Sequence, residues 1–274
     1  MPSTIVSLLF CPISLLPEAP DLVLAEGILD TQELARLKRC RDSVAVKFLY
    51  TRWMVKTELG RRLGIAPRQV SLAYSDNGKP YCPDLPELHF SISHCNSALG
   101  VVFAPVNVGM DIEEINRRRT SLTPPWADPN AYFGEVTAAQ VNAVIGDSEK
   151  ARVFTLLWTL VESQVKYCDS SIMRVSKSLE LELDRSQQPW KIGVEQAPQQ
   201  IFQSFTAVLN GTSRDRVALT AEDPTVIAKG SATEIISITL PNTRATPFEL
   251  KAYHWLSPGQ VRPLVLEKLA DSRE

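Results

Sequence analysis

Two carboxylates separated by one residue, Asp111 and Glu113, end the segment Val106-Asn-Val-Gly-Met-Asp-Ile-Glu113. Strand side chains alternate, so Val106, Val108, Met110 and Ile112 share one face, and Asn107, Gly109, Asp111 and Glu113 share the other. Neighbouring carboxylates repel, and a fold holds them most easily when a cation or a substrate sits between them. Taken alone, the pair also reads as solvated acids at a sheet edge. Its company argues for chemistry. Phe90-Ser-Ile-Ser-His94 precedes it and Trp158-Thr-Leu-Val-Glu-Ser-Gln-Val-Lys166 follows it, each a polar island in an apolar segment. Glu162 and Lys166 stand four residues apart and project from one helix face, with Trp158 a turn earlier. An isolated pair at that spacing would be a surface salt bridge of about 0.3–0.5 kcal/mol. The apolar residues before this one do not suit a solvated face.

The elements that must position these residues can be read along the chain. Ile5 to Phe10 forms a first strand: it lacks a basic segment and is interrupted at Pro12, unlike a signal peptide. Pro12, Pro17 and Pro20 mark a loop, and Asp30-Thr-Gln-Glu33 has the spacing of a helix N-terminal box. Ser43 to Leu63 carries apolar residues at helical spacings and stops at Gly64, with Pro67 beyond. Strands are expected at 70–74, 88–92 and 99–103, with Asp76-Asn-Gly-Lys-Pro80 as a turn.

Residues 114–131, with Arg117-Arg-Arg119, Pro124-Pro125, Trp126 and Pro129, break the pattern, and a boundary placed there divides 1–116 from 117–274. Helices follow at 132–145 and 149–168, the second capped near Asp147 or Ser148. Strand-like segments come next at 179–183, 204–209, 216–219, 235–240 and 250–256. Each half has helices first and strands afterwards, which hints at duplication within an α/β (α+β) fold.

Composition bounds the partners. The chain has 274 residues, 44% of them apolar, enough for one large domain or two ordinary ones. Its net charge of −2 implies no whole-molecule attraction to nucleic acid or membrane, so any anion site must be local. Cys11, Cys40, Cys82, Cys95 and Cys168 are scattered, without CxxC spacing or a Cys/His metal framework, as expected of a reduced, cytoplasmic protein. No apolar run reaches membrane-spanning length.

Gly78-Lys-Pro80, Phe90-Ser-Ile-Ser-His94, Gly109-Met-Asp-Ile-Glu113 and Trp158-Thr-Leu-Val-Glu-Ser-Gln-Val-Lys166 stand in the order of the hallmark motifs of the Sfp-type 4′-phosphopantetheinyl transferases. The resemblance runs from about residue 43 to Lys166 and is faint beyond about residue 185. It implies transfer of the phosphopantetheine arm of coenzyme A (CoA) to a serine of an acyl, peptidyl or aryl carrier protein, releasing 3′,5′-ADP. It also implies a pseudo-dimer of two similar halves with the active site in the cleft between them. Both halves lie in one chain, which favours a monomer.

By the same resemblance, Mg²⁺ would be held by Asp111, Glu113 and Glu162. A hard cation on oxygen ligands stabilises the charge that develops as a pyrophosphate bond breaks. Glu162 is also the candidate to take the serine proton, directly or through water; metal ligand and base are not separable from sequence. Lys166 would hold a CoA phosphate. Ser93, His94 and Lys79 would bind the nucleotide end, although each also reads as an ordinary turn residue. Among the basic residues Arg36, Lys38, Arg39, Arg41, Lys47 and Arg52, the expected contacts are Lys47 and Arg52. The Arg117–Arg119 run with Trp126 would dock the acidic carrier, or serve only as a solvated linker.

This chain departs from the family at three places. Lys47 stands where Arg is usual, which keeps the charge and loses the bidentate fork. Val161 stands where a lysine normally precedes the glutamate, removing a charge expected beside the metal site. Tyr167-Cys-Asp-Ser-Ser171 replaces a glycine-rich turn. The competing readings are a CoA-binding scaffold that has lost transfer, and a Mg²⁺-dependent pyrophosphate or nucleotide hydrolase using the same three carboxylates.

Overall fold

A computed structural model describes residues 4–115, 123–186, 190–196, 202–210, 233–241, 248–257, 260–264 and 267–271. In chain order the elements are β1 (Thr4–Pro12), α1 (Leu22–Ile28), α2 (Thr31–Leu37), α3 (Asp42–Leu63), β2 (Ala73–Tyr74), β3 (Pro80–Tyr81), β4 (His89–His94), β5 (Ala98–Ala104) and β6 (Gly109–Glu114). After these come α4 (Glu135–Asn142), α5 (Asp147–Tyr167), α6 (Ile172–Val175), β7 (Glu180–Asp184), β8 (Trp190–Gln196), β9 (Phe202–Asn210), β10 (Thr233–Pro241), β11 (Phe248–Ser257), β12 (Gln260–Pro263) and β13 (Glu267–Asp271). The mixture of helices and sheets is that of an α+β fold. Two compact units result, residues 1–106 with 246–265 and residues 107–245 with 266–274.

The first unit is a five-stranded sheet, order β12-β11-β1-β5-β4. The chain returns to it late: β11 pairs parallel to β1 from Thr4↔Phe248 to Phe10↔His254, and β5 takes the other edge of β1. Its main helix, α3, begins one residue earlier than expected and ends as expected, with Gly64 in the left-handed conformation (φ +69°) accepted readily by glycine. Met54, Val55 and Leu59 of α3 pack on Phe90, Leu99, Val101 and Phe103 of the β4/β5 hairpin and on Trp255 of β11.

The box at the start of α2 forms as read, Asp30 Oδ1 accepting from Glu33 N–H at 2.9 Å and Glu33 Oε2 from Asp30 N–H at 3.2 Å. Helix α1 falls where a loop was expected; Asp21 caps it, its Oδ1 accepting from Val23 and Leu24 N–H. The strand expected at 70–74 shrinks to β2, because Val70 closes the single turn over Pro67–Gln69 that follows α3.

The second unit is a six-stranded sheet, order β6-β10-β9-β13-β8-β7, with α5 packed on β6 and β10. The helix expected over 132–145 contracts to α4, since short turns at Pro125–Ala127 and Pro129–Ala131 occupy the approach and Gly134 starts the helix. Glu180 of β7 serves that helix start from afar, its Oε2 accepting from Thr137 N–H and Oγ–H at 2.9 Å each. Phe154, Leu157, Leu160, Val161 and Val165 of α5 form the core with Phe133, Val141, Leu181 and Ile235. The segment expected as a strand at 216–219 and the Arg117–Arg119 run lie outside the described residues.

Candidate active site

The carboxylate strand is built as its alternation implies, with a further layer that alternation does not reveal. Val108, Met110 and Ile112 are buried on one face. The opposite face, Gly109-x-Asp111-x-Glu113, is covered by α5, and Asp111 is itself only 4% exposed. Gly109 makes this approach possible. A Cβ at that position would stand 2.0 Å from the Ser163 carbonyl oxygen and 2.4 Å from Tyr167 N, both backbone atoms. Only glycine lets helix and strand backbones come so close.

Two hydroxyl pairs fix the helix along the sheet. Thr159 Oγ1 lies 2.8 Å from Ser237 Oγ, and Ser163 Oγ lies 2.7 Å from Thr239 Oγ1, with all four side chains buried. Each helix hydroxyl has a carbonyl one turn back as acceptor, Leu156 O for Thr159 and Leu160 O for Ser163, so the strand hydroxyls can donate to them. Ser237 and Thr239 sit opposite Asp111 and Gly109 in the β10–β6 ladder. Directional bonds at a spacing shared by strand and helix set a register that apolar contacts alone would leave free to slide.

With that register set, Lys166 meets Asp111, Nζ donating to Oδ1 at 2.7 Å. Glu113 lines a groove with Glu114, Pro125, Trp126, Phe154, Thr155 and Trp158. The succession Gly109 beside Ser163 and Tyr167, Asp111 beside Lys166, and Glu113 beside Trp158 means that α5 runs opposite to β6. Glu162 therefore sits one turn from Lys166 in the direction of Glu113, about 6 Å along the helix axis. Trp158 packs edge-on against Tyr132 (ring centroids 5.5 Å) and stacks on Phe154 (6.3 Å), forming the apolar wall of that groove.

Among the described residues no three His, Cys, Asp or Glu side chains meet at one point. The donors offered along this seam are nevertheless all carboxylate oxygens, the kind a hard divalent cation takes. Asp111 is buried and paired with an ammonium, so the seam already accommodates positive charge at this oxygen.

The remaining candidates belong to the first unit. Lys47 donates to the Cys95 carbonyl at 2.9 Å, which brings its ammonium to the β4–β5 turn, immediately after His94. His94 is exposed and Ser93 buried at the end of β4. Lys79 lies in the expected turn, closed by Gly78 N–H to Ser75 O (2.9 Å) and Lys79 N–H to Ser75 Oγ (2.9 Å), with Gly78 at φ +86°. Burial, and secondarily the charge of Lys79, hold the His89 imidazolium below its ordinary range.

Arg52 is tied down in a network that the sequence did not reveal. Its Nε donates to Glu33 Oε1 (3.0 Å), its Nη2 to Tyr74 Oη (2.7 Å), and its guanidinium lies over the Phe48 ring. Lys56, with no exposed surface, donates to Glu33 Oε2 (2.5 Å) and lies 3.7 Å from Asp30 Oδ2. Arg36, Lys38, Arg39 and Arg41 are exposed.

No family model matches the chain. It is 26% identical over 131 residues to the 4′-phosphopantetheinyl transferase Sfp of Bacillus subtilis, covering 48% of this chain and 52% of that one. A second 4′-phosphopantetheinyl transferase of Bacillus subtilis is 27% identical over 131 residues, with the same coverage. The 4′-phosphopantetheinyl transferase HetI of Nostoc sp. is 28% identical over 156 residues, 54% of this chain and 63% of that one. The chain is thus similar to proteins named 4′-phosphopantetheinyl transferases, Sfp among them. It spans about half the length of the curated relatives that it matches first.

Set beside the Sfp-type motifs, the geometry corrects one expectation. Val161 has no exposed surface and belongs to the apolar core of the second unit, so a side chain here points away from the carboxylate seam. The position therefore removes no charge from beside Asp111. Other residues escaped the sequence reading altogether: Gly109 as the contact point for α5, and Thr159, Ser163, Ser237 and Thr239 as its register. The Gly before Asp-x-Glu and the hydroxyls at 159 and 163 were visible, but their partners are 54 to 78 residues away and nothing local points to them.

Proposed function

We propose that this chain transfers the 4′-phosphopantetheine arm of CoA to a serine hydroxyl of an apo carrier protein, with Mg²⁺, as a cytoplasmic monomer of the family's pseudo-dimer arrangement. The serine oxygen attacks the phosphorus that bears the pantetheine. The bond from that phosphorus to the bridging oxygen breaks, 3′,5′-ADP leaves with the electron pair, and the serine proton passes to a base. The observation that carries the reading is the seam of Asp111, Glu113, Glu162 and Lys166, in which an acidic strand and a Glu/Lys helix face are held together by Gly109 and the hydroxyl pairs.

Asp111, Glu113 and Glu162 would hold Mg²⁺, which would supply positive charge to offset the charge that grows on the phosphate oxygens. Glu162 accepts the serine proton, directly or through a water. Lys166 offers its ammonium to a phosphate oxygen of CoA. Lys47, beside the β4–β5 turn, would join Ser93 and His94 at the nucleotide end, with Lys79 and Arg52 as further candidates there. The likeness to proteins named 4′-phosphopantetheinyl transferases supports CoA as donor and a carrier as acceptor. Arg117–Arg119 and Trp126 would receive the acidic carrier.

Steady-state transfer assays with fluorescent CoA and an apo carrier test these roles. Lys47→Ala and His94→Ala should raise the KM for CoA about tenfold with little effect on the carrier KM. Reversing the charge of Arg118 and Arg119 should do the opposite. Equal effects on both substrates would contradict the division of roles.

A further inference from the structure

We infer that the Lys166 ammonium is the resident cation of the carboxylate site, and that a divalent metal must take Asp111 from it. This rests on the reading of Asp111 as a metal ligand. Lys166 Nζ stands 2.7 Å from Asp111 Oδ1, and the two side chains differ in freedom: that of Asp111 is 6% exposed and that of Lys166 is 28% exposed. A carboxylate this buried needs positive charge close by, and Lys166 supplies it at Oδ1. An ammonium and a metal ion at one carboxylate oxygen repel each other, so at Asp111 Oδ1 either one displaces the other.

Asp111 is fixed in a strand against α5, whereas Lys166 sits on a four-carbon stem that reaches solvent and can swing away. What draws it off is a better anion. The pyrophosphate of CoA would offer oxygens to the ammonium and release Asp111 to the metal. Binding of CoA and of the metal is then positively coupled, and by linkage each raises the affinity for the other. Without CoA the protein takes the metal weakly.

Mn²⁺ titration of the CoA-free protein, with the unbound ion counted by its EPR signal, tests this without turnover. Lys166→Met should bind Mn²⁺ about tenfold more tightly than wild type, and adding Asp111→Asn should remove that gain. Lys166→Arg, which keeps the charge, should stay at the wild-type affinity. Addition of CoA should tighten Mn²⁺ binding in both wild type and Lys166→Met, and by a larger factor in wild type, because only wild type also gains the release of Asp111. Lys166→Gln replaces the Met variant if circular dichroism shows that the latter misfolds. If neutral variants bind Mn²⁺ no better than wild type while Asp111→Asn abolishes binding, the metal site stands and the competition is refuted. If Asp111→Asn changes nothing in any background, the metal reading itself fails and takes this inference with it.

Discussion

Gly109 and Ser163 touch backbone to backbone: a Cβ on the glycine would lie 2.0 Å from the serine's carbonyl oxygen. Because β6 carries Asp111 and Glu113 while α5 carries Glu162 and Lys166, this single contact sets the width of the candidate site. Gly109→Ala must push strand and helix apart, since neither clashing atom belongs to a flexible side chain. A loss of about 3 kcal/mol in urea denaturation is expected, with transfer activity reduced even where the protein is fully folded. Wild-type activity in a stable Gly109→Ala variant would show that the spacing is not critical.

Val161 offers a second test, because the family habit and the fold disagree about it. Placing a lysine there would bury an ammonium among Leu157, Leu160 and Val165. Val161→Lys should cost about 3 kcal/mol or more and lower Tm without raising kcat. A gain in kcat at unchanged Tm would mean that the position does reach the site.

Glu33 joins two buried cations, Arg52 and Lys56, besides accepting from Asp30 N–H at the start of α2. Removing it leaves both without their shared counter-charge, whereas removing Lys56 leaves Glu33 with Arg52. Glu33→Leu should therefore destabilise the protein by about 3–5 kcal/mol, and Lys56→Met by less, in chemical denaturation. Equal losses would show that the network is not centred on Glu33.

His89 makes stability depend on pH. Its folded pKa is depressed, by burial first and Lys79 second, so below about pH 6.5 the unfolded chain binds more protons than the folded one. The stability associated with the neutral imidazole is complete above that pH and falls as pH drops through the folded pKa. His89→Gln should flatten the slope of unfolding free energy between about pH 7 and 5. Lys79→Met should flatten it less, in line with the order of the causes.

What could be read in advance was local. The Asp30–Glu33 box, the Gly64 stop and the turn at Gly78 each depend on residues within a few positions, and each formed where expected. Period-two alternation correctly separated Asp111 and Glu113 from Met110 and Ile112. It did not reveal that α5 would cover the acidic face, since that depends on Gly109 meeting a helix 54 residues on. Lys56 carries no local mark of burial; its ammonium meets Glu33, 23 residues earlier. The short strands β12 and β13 carry too little pattern to stand out from loops. Motif order singled out the candidate residues, while the hydroxyls that set their register resemble ordinary helix and strand residues until α5 is seen on β10.

The central claim is transfer of the phosphopantetheine arm, and the intact mass of an apo carrier protein tests it most directly. After incubation with this chain, CoA and Mg²⁺, the account predicts a gain of roughly 340 Da, the arm's formula less the serine proton, with no gain for Glu162→Gln. Carriers of the fatty-acid, polyketide and peptide types that all remain unmodified, while the folded protein binds CoA, would contradict it.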